Sequence, residues 1–174
     1  MFKVDDYIVY GKTGICKITD ITVPKDICET DRLYYVLQPL YENCVIYAPV
    51  TTKIFIRPVI SAEEVNRLID MIPDIQAKAY YNNHLQELVE HYEAVISTYD
   101  CADLIGLAMS IFTKKKSLAQ QNQKLGQTDE RYLKQAENLL ASEFSVALGI
   151  LKDDVPAYIT SRVKALYKNP GGAP

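Results

Sequence analysis

The chain has 174 residues, 48% of them hydrophobic and 24% charged, enough to bury a core in one domain or two small ones. Its 19 basic and 22 acidic residues leave a formal net charge of −3, which excludes a bulk polyanion binder and confines any nucleic-acid contact to a local patch. Its longest apolar run, Leu104 to Phe112, is about half a bilayer span, so no membrane role is expected.

The first sixty residues read as strands. Tyr7–Tyr10, Ile15–Ile21, Leu33–Pro39, Cys44–Val50 and Lys53–Val59 are rich in Val, Ile and Tyr and are separated by turn-forming residues. Five short strands with close connections predict an SH3-like or Tudor-like small barrel. In the second strand Ile15, Lys17, Thr19 and Ile21 alternate with Cys16, Ile18 and Asp20, so neither face is purely apolar. The glycines of YGKTGI lead into a strand rather than a helix N-terminus. They read as turn glycines and not as a phosphate cradle.

The pattern changes at Ser61. SAEE is a capping-box sequence, with Ser61 and Glu64 placed to satisfy the first free amides of a helix. Val65, Leu68, Ile69 and Ile72 follow at helical spacing until Pro73. Further helices are expected from Asn82 to Ser97, from after Asp100 to the lysines Lys114–Lys116, from near Thr128 to Gly149, and from about Asp154 to Tyr167. The fold class is therefore α+β: a five-stranded barrel over 1–60, an all-helical bundle of about five helices over 61–168, and a flexible tail over 169–174.

The four cysteines, Cys16, Cys28, Cys44 and Cys101, are scattered without a CxxC pair, and the N-terminus lacks a secretion-signal pattern. Both fit reduced thiols and a cytoplasmic chain. Nucleophile, phosphate-loop and zincin motifs are absent, so neither an enzyme nor a cofactor or small-molecule substrate is expected. His84, Glu87 and His91 fall loosely on one helical face, but the histidines are two turns, about 10 Å, apart. A solvated polar stripe is the favoured reading over a metal site or a cryptic enzyme. Of the 13 tyrosines, Tyr7, Tyr10, Tyr34, Tyr35, Tyr41 and Tyr47 lie in the strand region, where such rings either pack or line a binding surface. Lys114, Lys115 and Lys116, with Lys124, Arg131 and Lys134, flank a polar connection. They form either a phosphate-contacting edge or a solvated helix end.

FKVDDYIVYGKTGICKITDI resembles the start of the CarD-like family of bacterial transcription regulators, whose pattern is roughly F-x-V-G-D-x-V-V-Y-x-x-x-G-x-x-x-I-x-x-I. Phe2, Val4, Asp6, Val9, Tyr10, Gly14, Ile18 and Ile21 match, while Asp5 stands where the family has glycine. YYVLQPL, CVIYAP and IFIRPV resemble that family's later strands, and DERYLKQAENLLASEF resembles its C-terminal helical signature. The resemblance implies a non-enzymatic regulator whose Tudor-like domain binds the β subunit of RNA polymerase, a module shared with the transcription-repair coupling factor. It also implies a helical domain that meets promoter DNA at the edge of the opened bubble and alters open-complex stability.

On that reading the strand edge CVIYAP, with Val45, Ile46, Tyr47, Ala48 and Pro49, is the expected polymerase contact, Ile46 and Tyr47 supplying specificity. A basic residue often stands in the family where Tyr47 is, and Lys25 and Arg32 nearby are the candidates to replace its charge. The family's wedge tryptophan is absent; Ala77 falls at about that point, followed by Lys78, Ala79, Tyr80 and Tyr81. Tyr80 or Tyr81 would then meet unstacked bases, with Lys78, Lys114, Lys115, Lys116, Arg131 and Lys134 meeting phosphate. The rival reading is an interaction adaptor that grasps another peptide through the same edge and does not bind DNA.

Overall fold

A computed structural model of the protein describes residues 1–24 and 32–168. The chain divides into two compact units, Met1–Val59 and a second that begins at Ile60.

The first unit is a five-stranded antiparallel sheet: β1 (Tyr7–Tyr10), β2 (Gly14–Thr22), β3 (Tyr34–Pro39), β4 (Ile46–Pro49) and β5 (Ile56–Pro58), in the spatial order β4-β3-β2-β1-β5. All five expected strands form. The sheet stays open, because β4 and β5 do not pair with each other and each is an edge. The β1–β2 connection turns at Gly11 (φ 42°) and Gly14 (φ 83°), which has room only for glycine at the first: a Cβ on Gly11 would stand 2.8 Å from Ile54 Cγ2.

The mixed faces of β2 have a physical cause. Pairing with β3 runs Cys16↔Pro39 and Ile18↔Leu37, then resumes at Asp20↔Val36 with a bulge between. The extra residue, Thr19, resets the alternation, so the core receives Cys16, Ile18 and then Ile21. These pack with Ile8, Tyr10, Tyr35, Leu37 and Ala48, and Phe2 closes the end edge-on to Tyr35 at 6.1 Å. Burial pushes the Cys16 thiol up to about 12, with Cys44 and Glu42 adding to the shift, so it stays protonated.

Asp5 explains its own departure from the glycine pattern. Its φ is 71°, in the left-handed region that glycine enters freely and aspartate enters more readily than most residues. Its carboxylate lies 2.7 Å from Lys17 Nζ, and its N–H donates to Ile18 O at 2.8 Å.

The second unit holds five helices: α1 (Ala62–Met71), α2 (Leu85–Ile96), α3 (Cys101–Gln120), α4 (Gln127–Leu148) and α5 (Val155–Lys168). Ser61 caps α1 by accepting from the Glu64 N–H at 3.1 Å, but the Glu64 carboxylate turns to Arg67, so only half of the expected capping box forms. α2 starts three residues later than expected, because the Asn82 side chain accepts from the His84 N–H at 2.7 Å and holds the chain in a turn. Asp100 caps α3 through the amides of Ala102 and Asp103. Gly149, at φ 65°, terminates α4 in the left-handed conformation.

Helix α4 packs against the other four helices. Its Tyr132, Ala136, Leu140 and Phe144 meet Val65 and Ile69 of α1, Leu88, Tyr92 and Ile96 of α2, Leu104 and Ile111 of α3, and Val155 of α5 in one core. Two polar contacts pin α5 to α1. Arg162 donates to both Asp70 oxygens at 2.6 and 2.7 Å, and Tyr158 Oη donates to Asn66 at 2.7 Å.

Candidate polymerase and DNA interfaces

Among the described residues strand β4 pairs with β3 alone, through Tyr34↔Pro49, Tyr35↔Ala48, Val36↔Tyr47 and Leu37↔Ile46, which makes it an edge of the sheet. The period of two then sorts the candidate residues. Val45 and Tyr47 are exposed, Tyr47 by 43%, while Ile46 packs on the sheet core and Ala48 is fully buried. This corrects the expectation for the Ala48 side chain, which leaves only its backbone to a partner, while Ile46 is partly buried against the core. Pro49 closes the strand, a position it can hold because an edge does not need its missing N–H. Arg32 is exposed and precedes Leu33, whose carbonyl accepts from the Val50 N–H at 3.0 Å, so it sits beside the end of β4. Lys25 lies outside the described residues.

The other sheet edge, β5, is three residues long and ends in Pro58. It offers less backbone than β4 and carries no ring equivalent to Tyr47 within the strand.

In the second unit the candidate DNA residues gather at one end. Residues Ile75–His84 form a non-helical strap that leads into α2. Ser110 Oγ of α3 donates to the Lys78 carbonyl at 2.7 Å, and one turn further along α3, Lys114 Nζ lies 5.2 Å from the Tyr81 ring centre. Lys114 also bridges to Asp129 in the first turn of α4, which brings Arg131 and Lys134 to the same end of the bundle as Lys115 and Lys116.

Lys114 itself departs from the expectation of a phosphate contact. It is only 7% exposed, and its ammonium reaches the two Asp129 oxygens at 3.0 and 2.9 Å. Tyr92 Oη donates to the same carboxylate at 2.6 Å. Burial and the Asp129 hydrogen bond push the Tyr92 phenol far above its ordinary range, which keeps it a donor. The solvated-helix-end reading of the lysines fails too, since α3 runs on to Gln120 and Lys114–Lys116 lie inside it. Lys78, Lys115, Lys116, Arg131 and Lys134 are exposed. Lys116 covers the exposed Phe112 ring at 4.7 Å, and Arg131 covers Tyr132 at 4.7 Å.

The two candidate aromatic residues differ. Tyr80 is half-buried and stacked on His91, with ring centres 3.8 Å apart and planes 19° from parallel, and its hydroxyl accepts from Asn82 Nδ2 at 3.2 Å. Tyr81 is 54% exposed. The polar stripe of α2 is dispersed into separate duties: His84 sits just before the helix, Glu87 accepts from Asn82, and His91 carries Tyr80. Among the described residues no three His, Cys, Asp or Glu side chains are grouped to hold a metal ion. No helix among them is long and apolar enough to cross a membrane.

A second buried carboxylate, Glu143, accepts from the Cys101 thiol at 3.1 Å and the Ile60 N–H at 3.1 Å. Sequence reading passed over Tyr92, Cys101, Asp129 and Glu143 as functional groups. The available signal was a carboxylate on the apolar stripe of a helix, where Asp129, Tyr132, Ala136 and Leu140 recur at core spacing.

Comparison with protein families decides the identity of the first unit: residues 2–60 match the CarD-like/TRCF RID domain. Over this stretch the chain is similar to the CarD-like family. The matched RID module is an RNA-polymerase-interacting domain, and in it the β4 edge, Tyr47 and Arg32 all fall within the matched stretch. None of the curated proteins compared with the chain matches it. The family match ends at the boundary of the first unit, so the helical unit stands on its own geometry.

Proposed function

We propose that the protein is a transcription regulator that docks on the β subunit of RNA polymerase by completing the β4 edge, and that its helical unit touches promoter DNA beside the melted region and changes the lifetime of the open complex. One observation carries the reading: the stretch matched to the RNA-polymerase-interacting family contains an edge strand on which Tyr47 is exposed, with Val45 exposed just before it. Strand addition fits this arrangement, since main-chain hydrogen bonds supply affinity and the outward rings select the partner. Arg32 beside the strand end supplies the charge that Tyr47 lacks.

The contribution of the helical unit rests on five exposed cations around one end of the bundle and a single well-exposed tyrosine on the strap. A few phosphate contacts give binding that falls steeply with salt, as suits a factor delivered to its promoter by polymerase. The test is recovery of polymerase on the immobilised full-length protein, followed by runoff transcription. Polymerase is expected to be retained, and transcript yield from an unstable open complex is expected to change several-fold. Lack of polymerase in the eluate, or retention with unaltered transcript yield at every promoter tested, contradicts the reading.

A further inference from the structure

The helical unit carries its charge unevenly. Residues 82–113, which include all of α2 and α3 as far as Thr113, hold five carboxylates, Glu87, Glu90, Glu93, Asp100 and Asp103, and no lysine or arginine. The groups that donate to these carboxylates are neutral. Asn82 donates to Glu87 at 2.8 Å, Gln86 to Glu90 at 3.0 Å and Tyr132 to Glu93 at 2.7 Å, while Asp100 takes backbone amides. Among the described residues none of the five enters an ion pair, so their negative charge is not compensated by contact with a cation.

Between α2 and α3 runs an open groove of about 480 Å³. Small residues one turn apart make its floor: Ala94 and Thr98 on α2, and Ala102, Gly106 and Ser110 on α3. The space over Gly106 is empty, since a Cβ built there meets nothing within 4 Å. The strap closes one end, where Tyr80 stacks on His91 and Ser110 holds the Lys78 carbonyl. Asp103 lines the groove, and the exposed Glu87 and Glu90 stand one turn before His91 and Ala94, which also line it. A floor without bulky side chains lets a third helix lie close to the other two, and a negative rim attracts cations and repels phosphate.

We propose that the α2–α3 groove docks a basic amphipathic helix of a partner protein. Its aliphatic side chains enter over Gly106, and its lysines or arginines reach Glu87, Glu90 and Asp103. From Ala102 to Ser110 the floor runs about 12 Å, which about two turns of a partner helix cover. The proposal goes beyond the polymerase and DNA reading and stands or falls apart from it, because it rests on a groove and carboxylates which that reading leaves idle.

The probe is a synthetic amphipathic helix of leucine and lysine, with a twin that carries glutamate for lysine, titrated into the isotope-labelled full-length protein and followed by amide NMR. The lysine helix is expected to shift the amides of Ala94, Ala102 and Gly106, with an affinity that falls as salt is added, and the glutamate twin to leave them unmoved. Gly106→Leu fills the floor at a point where there is room and where leucine favours the helix, and is expected to weaken binding about tenfold or more. Asp103→Lys, at an exposed position, is expected to weaken it several-fold at low salt and little at high salt. Circular dichroism checks that both variants keep the native helix content. No binding of the lysine helix at low salt overturns the proposal. Equal binding by wild type and Gly106→Leu, or shifts scattered outside α2 and α3, makes the probe a non-specific polycation and also overturns it. If the same amides shift when the protein alone is concentrated, the groove belongs to a second copy; if they shift with promoter duplex, it belongs to DNA. Either result overturns the assignment.

Discussion

Asp129→Ala is expected to destabilise the helical unit by about 3 to 5 kcal/mol, the usual cost of removing one partner from a buried ion pair. The carboxylate accepts from Lys114 and from Tyr92, both of them buried. Its loss leaves a charged ammonium and a phenol hydroxyl without their acceptor in a low-dielectric setting. The Asp129→Ala, Lys114→Met double variant is expected to be more stable than Asp129→Ala alone, since the stranded charge is then gone. Urea unfolding followed by helical circular dichroism measures both, and a loss below about 1 kcal/mol for Asp129→Ala contradicts this account.

The same site gives a pH dependence. The native phenol of Tyr92 is held above its ordinary value of 10.0 by burial first and the Asp129 carboxylate second. Below that value both native and unfolded phenols are protonated and the contribution is complete. Above it the unfolded phenol ionises while the native one does not, so stability falls as the pH rises further.

Tyr47→Ala is expected to weaken binding to the polymerase β lobe about thirtyfold, roughly 2 kcal/mol, as for a tyrosine near the centre of an interface. Because the ring points away from the sheet core, the stability of the protein should change by no more than about 0.5 kcal/mol. Ile46→Ala should behave in the opposite sense, costing stability because Ile46 packs on the core. Calorimetric titration of purified lobe, with thermal unfolding of each variant, separates the two. Equal affinity of wild type and Tyr47→Ala removes Tyr47 from the interface.

The elements of this fold were legible because local rules and packing agree. Alternating β-branched residues marked each strand, and Ser61, Asp100 and Gly149 marked helix ends that the structure forms at those places. Details that depend on tertiary partners were not legible. Asp5 and the Thr19 bulge are conformations that side-chain type only permits, so the face of β2 could not be assigned from alternation alone. The openness of the sheet depends on whether β4 meets β5 in space, which strand content does not state.

For the candidate sites, the sequence located the β4 segment and the basic end of the bundle, because exposed tyrosine, lysine and arginine announce themselves by type. It misread Lys114, because a lysine in a run of three looks solvated until Asp129 and Tyr92 are brought against it from α4 and α2. Tyr80 and Tyr81 were equivalent as letters. The His91 stack and the Lys114 contact separate them.

The most direct test of the central claim is hydrogen exchange of the backbone amides with and without the polymerase β lobe. Strand addition at β4 predicts slowed exchange in the segment from Val45 to Ala48 when the lobe is present, with the β5 amides unchanged. A lobe that binds while the amides of β4 exchange as fast as in the free protein would contradict it.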